Sequence, residues 1–231
     1  QAFILRMWCT WCLFSAGFST FIFITAVFGA DFSLISLLVE YKPVVIFFHA
    51  FSAAIGVGAA TVTDIFFFKY LKDYKISESE HKTMETLSGV IWVALGILVL
   101  TGIGLFLANS EVLMQSSKFL TKVVAVLVLI LNGIMLNLVI SPKMMEITFG
   151  DNFSHQKGEL HFMRKLAFAL GAISISSWYV IFILGSIKSI PVSIGTGISL
   201  YILLLCVAVI GSQIFDRMMI IKRKKELENN K

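Results

Sequence analysis

Six stretches of this chain run for twenty residues or more with few charges, at about 3–29, 44–68, 87–108, 119–141, 164–187 and 192–215. A helix of roughly 20 apolar residues covers the ~30 Å hydrocarbon core of a bilayer. The pattern therefore predicts an all-α protein, a polytopic transmembrane helical bundle of about six spanning helices. The intervening segments are polar. Residues 30–43 read as a mixed linker, and 69–86 (KYLKDYKISESEHKTMET) as a charged loop. Within that loop, Ser77-Glu78-Ser79-Glu80 resembles a helix entry ahead of Thr86. Residues 108–118 form a short polar connection, 141–163 carry Pro142 and a Gly-Asp-Asn turn, and 186–191 make a tight link. Residues 216–231 read as a basic cytoplasmic tail.

Composition agrees with the pattern. Of 231 residues, 58% are hydrophobic and only 14% charged, with a mean hydropathy of +0.89. A water-soluble surface would need more charge. The net charge of +5 is spread over the span flanks, which points to anionic lipid headgroups rather than nucleic acid. Fifteen lysines and arginines fall on one side of the predicted spans, against four (Lys42, Lys118, Lys122 and Lys188) on the other. Cytoplasmic loops carry the excess of such residues, so both termini are expected in the cytoplasm. The chain starts at Gln1 with no basic n-region and no small-residue cleavage site, which points to a processed chain or, the favoured expectation, a fragment whose upstream part lies elsewhere.

The chemistry-bearing residues are few. In FFHAFSAAIGVGAATVTDIFFFK, residues His49, Ala53, Gly56, Ala60 and Thr63 fall within about 80° of one another at 100° per residue. Small-residue faces let helices approach closely in lipid, so His49 is expected to point into the bundle. Intramembrane ionisable groups are costly and tend to be functional. His49 is thus a candidate haem b ligand, copper ligand or proton-transfer group, or else a hydrogen-bonded packing residue. The other histidines, His81, His155 and His161, fall on the opposite side, and the residues offer no His–His pair at one depth. Asp64 near the far end of the same helix is expected to pair with a neighbouring helix or else to snorkel to the interface. Asn132 and Asn137 are expected to hydrogen-bond across helices, and Gly89, Trp92 and Gly96 to form a packing seam. Ser174, Ser176, Ser177, Trp178 and Tyr179 either line a cavity for a lipid-soluble ligand such as a quinone or serve as polar glue. There is no phosphate-cradling loop and no Ser/His/Asp arrangement. Gly56-x-Gly58 lies inside a helix and is no dinucleotide fingerprint.

Cys9 and Cys12 sit three residues apart where the first apolar run begins, in RMWCTWCLFSA. At a helix start the dipole, with a cation such as Arg6, favours a thiolate. That is the physics of disulfide oxidoreductases. A zinc site would need two further thiol or imidazole ligands, and Cys206 is in another span.

Two resemblances follow. Residues 1–29, which begin QAFILRMWCTWCLFSAGFSTFIFI, resemble the last redox helix of bacterial vitamin K epoxide reductase homologues, where a Cys-x-x-Cys opens a helix and a Ser-Ala pair follows. The resemblance implies that Cys9 and Cys12 are an active-site pair beside a quinone, with a thioredoxin-like redox partner, in a bacterial cytoplasmic membrane. It also implies an outward-facing pair, whereas the charge count puts the pair inside. Residues 44–187 are similar to the copper-resistance protein D type of membrane domain and its haem-binding relative, through His49 with its small residues, LSGVIWVALGILVLTGIGLFL, Lys122, Asn137, Pro142 and HFMRKLAFALG. This implies a redox- or metal-linked bundle with His49 as the position to carry over.

The resulting expectation is an integral membrane redox protein with thiol–disulfide exchange at Cys9 and Cys12 coupled to a quinone. Residues 1–29 would be the end of a redox domain and 44–215 a five-helix membrane module. A haem- or copper-binding module that is not an enzyme, and a structural membrane subunit, are the alternatives.

Overall fold

The computed structural model describes residues 15, 17–22, 34–71, 78–140, 157–188 and 191–229, and every long element in it is helical. In chain order these are α1 (Leu34–Glu40), α2 (Lys42–Leu71), α3 (Glu78–Ala108), α4 (Ser110–Met114), α5 (Ser117–Met135), α6 (Lys157–Ser186) and α7 (Ile194–Asn229). There is no strand among the described residues. Lipid offers no partner for backbone N–H and C=O groups, so apolar spans must satisfy them internally, and helices do so. Five helices are long and apolar enough to cross a membrane: Lys42–Phe67, Lys82–Ala108, Ser117–Ile140, Phe162–Ser186 and Ile194–Ile221. The protein is a multi-pass membrane protein with its apolar faces on lipid. Of the expected span 3–29, residues 15 and 17–22 are helical, and the remainder, with Cys9 and Cys12, lies outside the described residues.

Several element ends differ from the sequence reading. The third helix opens at Glu78, at the entry read from Ser77-Glu78-Ser79-Glu80 and ahead of the apolar span expected from 87, because ESEHKTMET continues the helix as polar turns. Its threonines bond back along it, Thr83 Oγ1 to the Ser79 carbonyl at 2.9 Å and Thr86 Oγ1 to that of Lys82 at 2.9 Å. The stretch taken as a basic tail from 216 is helical as far as Asn229. Lys, Arg, Glu and Leu are good helix formers, and hydropathy marks where the bilayer ends, not where the helix does. The linker 30–43 contains α1, and the 108–118 connection contains α4. Pro43 stands in the first turn of α2, where its missing N–H costs no helical bond. At the start of α5 the Ser116 side chain accepts from the Phe119 N–H at 3.3 Å. That helix closes in a π-helical turn, Leu136–Ile140, shortly before Pro142.

The helices alternate in direction, and α2 packs along α3 and α6, while α6 packs on α5 and α7. The small-residue face of α2 is buried, with Ala53 and Ala60 in the central cluster beside Leu98, Ala125, Leu129, Trp178 and Ile181. Gly56 is the tightest point. A Cβ there would lie 2.2 Å from the Trp178 ring, so only glycine lets the indole of α6 lie on the α2 backbone. Trp92 packs against Gly133 of α5, where a Cβ would stand 3.2 Å from it, whereas Gly89 faces open space. The seam on α3 is therefore carried by Trp92, set against Gly133 of α5, with Gly96 buried and Gly89 outside it. Polar bonds tie the helices where water is excluded. Asn132 Nδ2 donates to the Leu170 carbonyl at 3.1 Å, and Ser88 Oγ donates to Asn137 Oδ1 at 3.0 Å. Ser177 Oγ lies 2.8 Å from Tyr201 Oη.

Candidate functional site

Two polar centres lie at opposite ends of the bundle. At one end, Arg164 of α6 and Asp216 of α7 form a buried ion pair, Nε to Oδ1 at 2.9 Å, with Asp216 only 1% exposed. A second contact runs from Arg164 Nη2 to Asp216 Oδ2 at 3.2 Å. Gln213 Nε2 donates to the Lys165 carbonyl at 3.0 Å alongside. This is a lock between two helices with its charges matched.

The other centre is unmatched in charge. It is built on His49, half-buried in the second turn of α2 as the small-residue face requires. Its Nδ1 is 2.9 Å from Thr101 Oγ1 on α3, and its Nε2 is 2.8 Å from Lys122 Nζ on α5. The Thr101 hydroxyl has a single proton, which it donates to the Ile97 carbonyl at 2.6 Å. Towards His49 it therefore presents a lone pair, so Nδ1 carries the imidazole hydrogen. Nε2 is left as an acceptor for the Lys122 ammonium. Ser52 Oγ also donates to the His49 carbonyl at 3.0 Å. Two glycines make room. A Cβ on Gly102 would touch His49 Cε1 at 3.4 Å, and one on Gly185 would stand 3.7 Å from Lys122 Nζ. One turn before Lys122, Lys118 Nζ donates to the Ile187 carbonyl at the end of α6.

The remaining candidates are dispersed. Trp178 is fully buried, and its indole N–H has no hydrogen-bond partner among the described residues. Tyr179, the next residue, is 42% exposed, and its hydroxyl is 3.3 Å from Thr61 Oγ1. A single residue step along α6, about 100°, thus points Trp178 into the core and Tyr179 towards Thr61. Asp64 lies 15 residues along α2 from His49, about 22 Å at 1.5 Å per residue. Its Oδ1 faces Gly171 of α6, and it forms no ion pair with a described residue, contrary to the expected pairing. Residues 81 and 161 lie in the opening turns of α3 and α6, at the Arg164 end, and His155 is outside the described residues. No group of three or more His, Cys, Asp or Glu among the described residues is placed to hold a metal ion. Lys122 is the partner that reasoning from the residues did not join to His49. Its signal was a lysine within the first turn of the apolar run 119–141.

No family model matches the chain, and neither the curated proteins nor the solved structures contain a match to it.

Proposed function

We propose that this chain is a quinone-linked redox protein of a bacterial cytoplasmic membrane. In this reading Cys9 and Cys12 form the electron-donating thiol pair, and the His49–Lys122 centre holds the quinone headgroup. The observation that carries it is the 2.8 Å contact between an imidazole acceptor and a lysine ammonium inside the apolar spans. Quinone oxygens need a hydrogen-bond donor in lipid and gain negative charge on reduction. A desolvated ammonium stabilises that charge far better than water-exposed lysine does. The resemblance of residues 1–29 to vitamin K epoxide reductase homologues supports the donor half. The two thiols would close a disulfide and release two electrons and two protons, and the quinone would take up both to become a quinol. A reduced thioredoxin-like protein is the partner this chemistry calls for, since its dithiol returns the Cys9–Cys12 disulfide to thiols and is itself oxidised. The lysine and arginine bias of the later spans supports an orientation with the Arg164 end in the cytoplasm and the His49–Lys122 centre at the outer face. Cys9 and Cys12 take, in this reading, the outward face that the resemblance implies, not the inner one that the charge count gives.

Dithiol-driven quinone reduction by the protein in nanodiscs tests this, read from quinol absorbance. Cys9→Ser and Cys12→Ser are expected to bring the rate to background. His49→Ala and Lys122→Gln are expected to raise KM about tenfold, the loss of ~1.4 kcal/mol of binding. A rate indifferent to both cysteines would overturn the reading. Thiol labelling from each side of sealed vesicles reports which face Cys9 and Cys12 occupy. A Soret band in the purified protein, lost in His49→Ala, would instead favour haem at His49, and stoichiometric copper lost in that variant would favour copper.

A further inference from the structure

The charge around Lys122 is unbalanced. Its ammonium has three N–H donors, and one is taken by His49 Nε2 at 2.8 Å. Among the described residues it has no other hydrogen-bond partner, and no carboxylate forms an ion pair with it. Asp216 is committed to Arg164, and Asp64 is about 22 Å further along α2. His49 offers no negative charge, since its ring hydrogen is engaged by Thr101 and its other nitrogen is a neutral lone pair. Lys118, one turn earlier, adds a second cation whose amine is tied to the Ile187 carbonyl. The centre therefore presents an uncompensated ammonium with spare donors. It opens beside Gly185, which is exposed and carries no side chain to cover Lys122.

We propose, resting on the quinone reading above, that this centre selects quinones that carry an ionised ring hydroxyl over neutral quinones of the same size. A neutral carbonyl accepts one hydrogen bond from Lys122. A ring oxyanion accepts a charge-assisted bond of about twice the strength. It also supplies the counter-charge that the protein leaves out, in a medium where Coulomb attraction is weakly screened. The ring itself needs no polar partner, because lipid beside the exposed Gly185 accepts an apolar edge.

The test compares 2-hydroxy-1,4-naphthoquinone, ionised at neutral pH, with its methyl ether, 2-methoxy-1,4-naphthoquinone. Binding to the full chain in zwitterionic nanodiscs is read from tryptophan fluorescence quenching, corrected for partition into empty nanodiscs. The hydroxyl compound is expected to bind at least about tenfold more tightly. Lys122→Gln is expected to abolish the preference and Lys122→Arg to retain it, which separates loss of charge from loss of fold. Equal binding of the two compounds by the unmodified protein, or a preference that survives Lys122→Gln, overturns the charge selection while leaving the quinone reading standing. Failure of both compounds to bind removes the quinone reading and this inference together.

Discussion

Gly56 and Trp178 make the most demanding contact in the bundle, and it is a contact between single residues. The indole lies where a Cβ on Gly56 would stand 2.2 Å from it, and the tryptophan is fully buried. Gly56→Ala must displace either the ring or the α2 backbone, and overpacking of this kind costs about 1–3 kcal/mol. The midpoint of thermal unfolding in detergent should fall accordingly. In Gly56→Ala/Trp178→Leu the added methyl has space, so the double variant should lose less than the sum of the two single changes. Full additivity would show that the two residues are not coupled. The same scale separates what could be read for His49. Its inward direction followed from the spacing of Ala53, Gly56 and Ala60 on one helix. Its partner did not, because Lys122 is 73 residues away and meets it only through the way α2 and α5 both pack on α6.

Between elements, the Arg164–Asp216 pair decides how α6 and α7 dock. Both side chains are almost wholly removed from solvent, at 11% and 1% exposure. Removing one partner leaves a buried charge unpaired, at a cost of about 3–5 kcal/mol. Asp216→Asn and Arg164→Met are each expected to lower the unfolding midpoint strongly. Arg164→Met/Asp216→Leu should recover most of that loss, since a well-packed apolar pair can replace a buried ion pair. A double variant as unstable as either single one would show that the pair has a positive role beyond neutralising its own charges. Element ends were the least legible part of the sequence. Hydropathy located the apolar length of each helix, but α3 and α7 continue as polar helix beyond it, where propensity rather than lipid sets the boundary.

For the whole molecule, the bilayer is the outer layer of the fold. Large side chains such as Leu131, Leu138 and Val207 lie exposed on the helix surfaces, while the buried residues gather where the helices meet, in a central cluster around Trp178, Leu98 and Ile181 and a second one around Met163 and Leu170. Cys206 tests this arrangement, since it is free and exposed in the middle of α7. In proteoliposomes it should react with a lipid-soluble maleimide and be shielded from a charged one. Rapid labelling by the charged reagent would place that face of α7 in water instead of lipid.

By itself the sequence determined the membrane, the helical class, the length of the apolar spans and the inward face of α2. Each of these follows from local periodicity and from the cost of exposing backbone to lipid. Only the tertiary structure decided that His49 meets Thr101 and Lys122, that Trp178 and Tyr179 part company, that Asp64 lacks an ion-pair partner among the described residues and that Arg164 finds Asp216. Those are relations between helices far apart in the chain, set by packing angle and register. Many inter-helix arrangements satisfy the same hydropathy pattern, and close packing at points such as Gly56 selects among them.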